Sequence, residues 1–281
     1  MVSLRYKEGE KVFNWKNLGG RSHCPICQKQ LVWYELIPLI SFLIQRGKCR
    51  HCGHKIVLQY PIIELLSALN FSLVPWYLFN FQFSILNFQF WQSPSLINLT
   101  AIIIAVIWIL IFSLFLLLSS IDYRLSIIPD SISFYLGILG LILIVAEIFQ
   151  FSLSKGSFVG QYASMFGLYF YKNVLVSHIF AAVIGGLFFS LIIILSRGRA
   201  MGWGDAKLAV VLGLIFGWPD IIFVLFFAFI IGTIFLIPLL AMGRKKMKEA
   251  IPFGPFLIIG ATFIFFFGVK FFEFYFKLCA L

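Results

Sequence analysis

Charge is what this sequence has least of: 12% of its 281 residues are Asp, Glu, Lys or Arg, while 61% are hydrophobic. A soluble domain carries about 25% charged residues, so the shortfall excludes an ordinary water-facing surface. Carboxylates are scarcer still, 11 against 22 basic side chains, and the only aspartates are Asp122, Asp130, Asp205 and Asp220. No secretory leader opens the chain, since residues 1–22 are polar and lack an apolar core. A glycine-rich nucleotide fingerprint is absent too. The tetrapeptide NFQF occurs at 80–83 and 87–90, an echo too short to define a repeat architecture.

What is present are long apolar runs. Stretches of membrane-spanning length, about 20 residues, lie near 61–80, 97–120, 131–150, 175–196, 221–241 and 253–276. A shorter run, 207–218, can cross only if tilted or shielded by neighbours. The expectation is an all-α polytopic membrane protein of about seven transmembrane helices, 61–281, preceded by a polar cytosolic module, 1–60.

The basic excess fits that division. Ten of the 22 Lys and Arg fall in residues 1–60; others gather at Arg197, Arg199 and Lys207 and at Arg244, Lys245, Lys246 and Lys248. With residues 1–60 in the cytosol, every dense basic loop falls on the cytosolic side, as the positive-inside rule requires. Loop 81–96, free of Lys and Arg, lies outside, and only Lys155 and Lys172 occupy the outer loop. Positive charge at membrane boundaries rather than on one face argues against nucleic acid as a partner. The lipid bilayer is the expected partner, and segment 31–46, apolar and containing Pro38, is expected to rest on its surface.

Cys24-Pro-Ile-Cys27 and Cys49-Arg-His-Cys52 are paired CxxC knuckles separated by 21 residues. Two such turns bring four thiolates to the corners of a tetrahedron, which suits structural Zn²⁺; disulfides are disfavoured in a reducing cytosol. His23, His51 and His54 read as solvated loop histidines, and Cys279 as an inert thiol in the last span. Four thiolates leave no position for water, so the metal is expected to be structural.

An ionisable residue in a membrane segment is a functional candidate by default. For Asp220, beside Trp218-Pro219, interfacial water is the simpler reading. Asp122 and Asp205 are expected on the same, cytosolic side, at the end of one helix and the start of another. In Gly202-Trp203-Gly204-Asp205-Ala206-Lys207, Gly202 and Gly204 permit close approach of another helix or an extended substrate to Asp205. Lys207 either stabilises charge near Asp205 or snorkels to the interface. Asp130 is expected to close a turn after Pro129. Glu64 reads as structural or as part of a methyl-transfer site rather than proteolytic.

These pieces, in this order, resemble the bacterial type IV prepilin peptidases: the paired CxxC module, Tyr60-Pro61-Ile-Ile-Glu64-Leu-Leu, Asp122 with Ile128-Pro129-Asp130 downstream, then the GxGD at 202–205 with Lys207. The resemblance implies an aspartyl leader peptidase of the bacterial inner membrane with Asp122 and Asp205 as its catalytic pair, acting on pilin-like precursors. It also implies methylation of the new amino terminus from S-adenosylmethionine, which no residue pattern here reveals. The family usually has eight helices, the first carrying a motif of which Val2–Arg5 would be the tail. Two readings from other classes remain: a transporter relaying protons through the aspartates, expected to place them near the bilayer midplane, and a non-catalytic scaffold for pilus or secretion assembly.

Overall fold

The computed structural model describes residues 22–82, 96–148, 173–199, 201–242 and 252–279. Val2–Arg5, most of the outer loop after residue 82, Lys155, Lys172 and the run Arg244 to Lys248 lie outside these. Among the described residues the protein is helical, with isolated β-bridges only in the cysteine region. A 3₁₀ turn, Trp33–Leu36, precedes α1 (Ile40–Ile44). Then come α2 (Gln59–Tyr77, continued by a π turn), α3 (Leu96–Leu125), α4 (Asp130–Ile148), α5 (Val174–Leu195), α6 (Trp203–Phe216), α7 (Asp220–Ala241) and α8 (Gly254–Cys279).

Six of these, α2 to α5, α7 and α8, are long and apolar enough to cross a membrane. Helix α6 is not: 14 residues span roughly 21 Å at 1.5 Å per residue, short of a ~30 Å hydrocarbon core. Its position explains how so short a helix survives. It packs against α5 and α4, with contacts to α7 and α8, and Leu208, Ala209, Leu212, Ile215 and Phe216 are all buried. Small residues allow the closest of these approaches. A β-carbon on Gly213 of α6 would meet the Ala182 backbone nitrogen of α5 at 2.5 Å, the backbone proximity that small residues permit between membrane helices.

An aromatic core knits the rest. Trp108 and Phe112 of α3 stack on Phe265 of α8 at centroid distances of 4.5 and 4.9 Å, and Tyr77 of α2 joins Phe265 at 5.3 Å. Leu191, Leu195, Phe134 and Ile234 instead turn outward, as lipid-facing side chains should.

The helix ends differ from expectation in one consequential place. Helix α3 continues past residue 120 to Leu125, so Asp122 lies within its last turn. Nothing in Ser119-Ser120-Ile121 breaks a helix, and α3 stops only where Ser126 takes a positive φ of 53°.

Candidate active site and metal centre

Asp122 is held by α3, and its carbonyl still accepts the Ser126 N–H at 2.7 Å. Its side chain points into the bundle, with the residue 3% exposed. Asp205 occupies the third position of α6, whose N-cap is Gly202. Its backbone N–H bonds to the Gly202 carbonyl at 3.2 Å, while its carboxyl receives the Gly202 backbone N–H. This is the reciprocal logic of a capping box, with an acid in the first turn satisfying the N-cap donor. Asp122 and Asp205 lie close enough for one carboxyl to act electrostatically on the other. Residues 83 positions apart, at the end of α3 and the start of α6, thus come within electrostatic range of one another.

Ile128 determines how closely these segments meet. It is buried, and a β-carbon on Gly204 would stand 3.0 Å from its Cβ. A third element completes the site: the start of α8, where the Gly254 backbone N–H donates to Asp122. Oδ2 of Asp122 is buried without a hydrogen-bond partner. A buried, unpaired carboxylate oxygen is costly in apolar surroundings. Chemically, the arrangement offers two carboxyls of unequal exposure and one unclaimed acceptor.

Gly254 was not among the sequence candidates. The signal was present in Pro252-Phe253-Gly254-Pro255: glycine between prolines at the start of a long apolar run.

The supporting residues go elsewhere. Lys207 does not pair with Asp205; its Nζ donates to Asp130 Oδ1 at 2.6 Å, joining α6 to α4. Asp130 accordingly does more than close a turn, since it begins α4 and holds this cation, although both side chains are more than half exposed. Glu64 Oε2 accepts the Leu39 backbone N–H at 2.9 Å, tying the loop before α1 to α2. Asp220 is fully buried rather than in interfacial water, because it opens α7 beneath the packed Trp218.

The four cysteines gather as the spacing predicted: one sulfur from each of Cys24, Cys27, Cys49 and Cys52 lies within 4.8 Å of the others, a set that could hold a metal ion. The two knuckles match. Cys24 N–H bonds to the Lys29 carbonyl at 3.0 Å and Cys49 N–H to the His54 carbonyl at 2.8 Å. Four residues beyond each of these cysteines the chain turns through positive φ, 56° at Gln28 and 68° at Gly53. Tetrahedral thiolates 2.3 Å from zinc stand roughly 3.8 Å apart, and Cys24 and Cys52 sulfurs are 3.9 Å apart. Backbone donors at Cys27 and Ile26 lower the Cys24 thiol to about 7. The His54 backbone donor favours the Cys52 thiolate, yet desolvation and the sulfurs of Cys49, Cys27 and Cys24 push that thiol up to about 11. A bound cation would offset the repulsion that opposes ionising these sulfurs together.

His51 is the exposed loop histidine expected, and it has neighbours. Its ring contacts Lys29 Nζ at 3.1 Å and, more loosely at 3.9 Å, the buried Glu35. Glu35 also accepts the Val32 N–H at 3.0 Å, and Arg50 stands 5.7 Å from the Tyr34 ring centroid. The second knuckle is thereby fastened to segment 31–46, whose Trp33, Leu43 and Ile44 are each more than 70% exposed. Apolar exposure on that scale agrees with a segment resting on lipid.

Comparison with known proteins bears on both regions. Residues 2–78 match the bacterial Peptidase A24 N-terminal domain, and residues 108–237 match the Type IV leader peptidase family. The prepilin leader peptidase/N-methyltransferase of Bacillus subtilis is 28% identical over 259 residues, covering 92% of this chain and 86% of the relative. Those of Stutzerimonas stutzeri and Pseudomonas aeruginosa are each 31% identical over 242 residues, covering 85% of this chain and 68% of the relative. No solved structure matches significantly. With relatives above 30% identity covered over two thirds of their length, and with the paired cysteines and the aspartates each inside a matched region, the chain belongs to the type IV leader peptidase family.

Proposed function

We propose that this chain is an aspartyl endopeptidase of the bacterial inner membrane, with Asp122 and Asp205 as the catalytic pair, that removes the leader of type IV pilin-like precursors. The observation that carries the reading is that two carboxyls from separate helices of an apolar bundle lie within electrostatic range, one with a buried oxygen lacking a hydrogen-bond partner. Chemistry at such a pair needs one carboxyl protonated and one ionised, a division that close like charges favour. The ionised partner takes a proton from water, whose oxygen attacks the scissile carbonyl carbon; the protonated partner gives its proton to the carbonyl oxygen. Collapse of the tetrahedral species returns that proton to the second carboxylate and cleaves the C–N bond as the first carboxyl gives the water-derived proton to the amine.

The positive-inside walk supports a cytosolic position for residues 1–60 and the aspartates. An extended leader would reach the pair from the cytosol while the apolar segment of the precursor stays in lipid. Residues 1–60 and 61–281 serve as zinc module and peptidase domain respectively. Cys24, Cys27, Cys49 and Cys52 would hold Zn²⁺, which with four thiolates supplies a structural crosslink and no open coordination site. The relatives' names support a second activity, methyl transfer to the new amino terminus from S-adenosylmethionine.

Cleavage of a pilin-like precursor in membranes containing this chain tests the reading. Wild type should cleave, and Asp122→Ala and Asp205→Ala should insert normally without cleaving. Cleavage surviving either substitution discards the aspartyl mechanism.

A further inference from the structure

The dyad reading leaves the third element of the site without a role, and the start of α8 is built in a way that demands one. Helix α8 begins Gly254-Pro255-Phe256-Leu257, just after Phe253, and the first N–H groups of a helix have no partner within it. Here most of those donors are already removed or used. Pro255 has none, while the N–H groups of Phe256 and Leu257 both bond to the Phe253 carbonyl, at 3.0 and 3.2 Å. The Gly254 N–H alone among these is left to point away from the helix, and it goes to the Asp122 carboxyl.

The missing side chain matters as much as the donor. A β-carbon at position 254 would stand 2.5 Å from Asp122 Oδ2 and 3.3 Å from its Cγ, with Ile128 Cδ1 a further 3.4 Å away. Real β-carbons do not tolerate a 2.5 Å contact, and the carboxyl could not retreat freely, because Asp122 is 3% exposed and Ile128 is buried beside it. A methyl group would therefore press on Oδ2, a buried oxygen with no hydrogen-bond partner.

We infer that Gly254 is a positioning residue for Asp122: its N–H anchors the carboxyl, and its lack of a side chain makes the room that Oδ2 occupies. The inference rests on the dyad reading and deepens it. Asp122 is then aimed from α8, Asp205 is capped by its own helix, and Ile128 contacts both glycine-bearing segments.

The test compares Gly254→Ala with Gly260→Ala in purified, lipid-reconstituted full-length protein. Gly260 lies on the same helix in an equally tight spot, where a β-carbon would meet the Val224 carbonyl oxygen at 2.5 Å, but it touches neither aspartate segment. Per folded molecule, Gly254→Ala should lower kcat by about 10²-fold, as a misplacement of about 1 Å does, with KM little changed and the pH profile of kcat displaced. Gly260→Ala should lower only the yield of folded protein and leave kcat and the pH profile at wild-type values. Gly254→Ala cleaving at the wild-type rate with an unmoved pH profile, while Asp122→Ala is inactive, overturns the inference and leaves the dyad standing. Equal losses of kcat in both glycine variants also overturn it, by reducing Gly254 to packing. An active Asp122→Ala variant removes the dyad reading itself.

Discussion

The two ends of the bundle treat their buried ionisable side chains differently. At the end away from the aspartates, His178 of α5 has both ring nitrogens engaged, Nδ1 on the Leu214 carbonyl at 2.8 Å and Nε2 on Glu147 Oε2 at 3.1 Å. Ser177 beside it donates to the Trp218 carbonyl and accepts the Trp218 N–H, each at 3.1 Å. At the aspartate end, Asp122 Oδ2 is buried with no partner. Satisfied networks of the first kind hold helices together: here they fasten α5 to the end of α6 and to α4. An acceptor left open at the second end contributes nothing to cohesion and costs desolvation. An oxygen so placed, on a carboxyl beside a second carboxyl, is available to a water or a substrate.

That contrast can be tested by substitution at each end. The largest effect belongs to the aspartates: Asp122→Ala or Asp205→Ala should reduce precursor cleavage by about 10⁴-fold or more, with folding unimpaired, as quantitative cleavage assays on matched amounts of inserted protein would record. At the opposite end the outcome should invert. His178→Ala leaves Glu147 and the Leu214 carbonyl facing a void and should destabilise the protein by about 3 kcal/mol, seen as a lower thermal-inactivation temperature in lipid, while kcat per folded molecule stays at wild type. Loss of activity without loss of stability in that variant would refute the division between the ends.

The cysteine module gives an effect of a different kind. Cys24→Ser with Cys49→Ser should abolish bound zinc in elemental analysis of the purified protein and free segment 31–46 to proteolysis. Because the Cys24 thiol is lowered to about 7, its thiolate is present above that pH and lost below it. Zinc affinity should therefore rise with pH through 7, as competition with a chromophoric chelator would report. Least affected should be Lys207→Ala. Its pair with Asp130 is more than half exposed on both sides, and such pairs contribute at most about 1 kcal/mol, so a denaturation midpoint close to wild type is expected.

Much of this was legible in sequence because the controlling signals are local. The CxxC spacing dictated the sulfur cluster, and apolar run lengths located α2 to α8 to within a few residues. The GWGD turn put Asp205 in the first turn of a helix, where Gly202 caps it. What escaped depends on contacts between segments distant in the chain. For Lys207 the local sequence offers Asp205, two residues away, or the membrane interface, whereas its partner Asp130 is 77 residues distant on α4. Asp220 looked interfacial from its neighbours, yet helix packing buries it completely. The role of Gly254 depends on where α3 delivers Asp122, and no local pattern encodes that meeting. His178 and Glu147, 31 residues apart, likewise become partners only once α4 and α5 pack.

The central claim is that Asp122 and Asp205 act as one unit, and a double-mutant comparison tests it most directly. Precursor cleavage would be measured for Asp122→Asn, Asp205→Asn and the combined variant in the same lipid. Groups that act together are strongly non-additive, so each single substitution should cost nearly as much as both, with the combined variant no slower than the slower single one. Losses that instead multiply, the combined variant slower by the product of the two, would mean that the carboxyls contribute independently and would contradict the account.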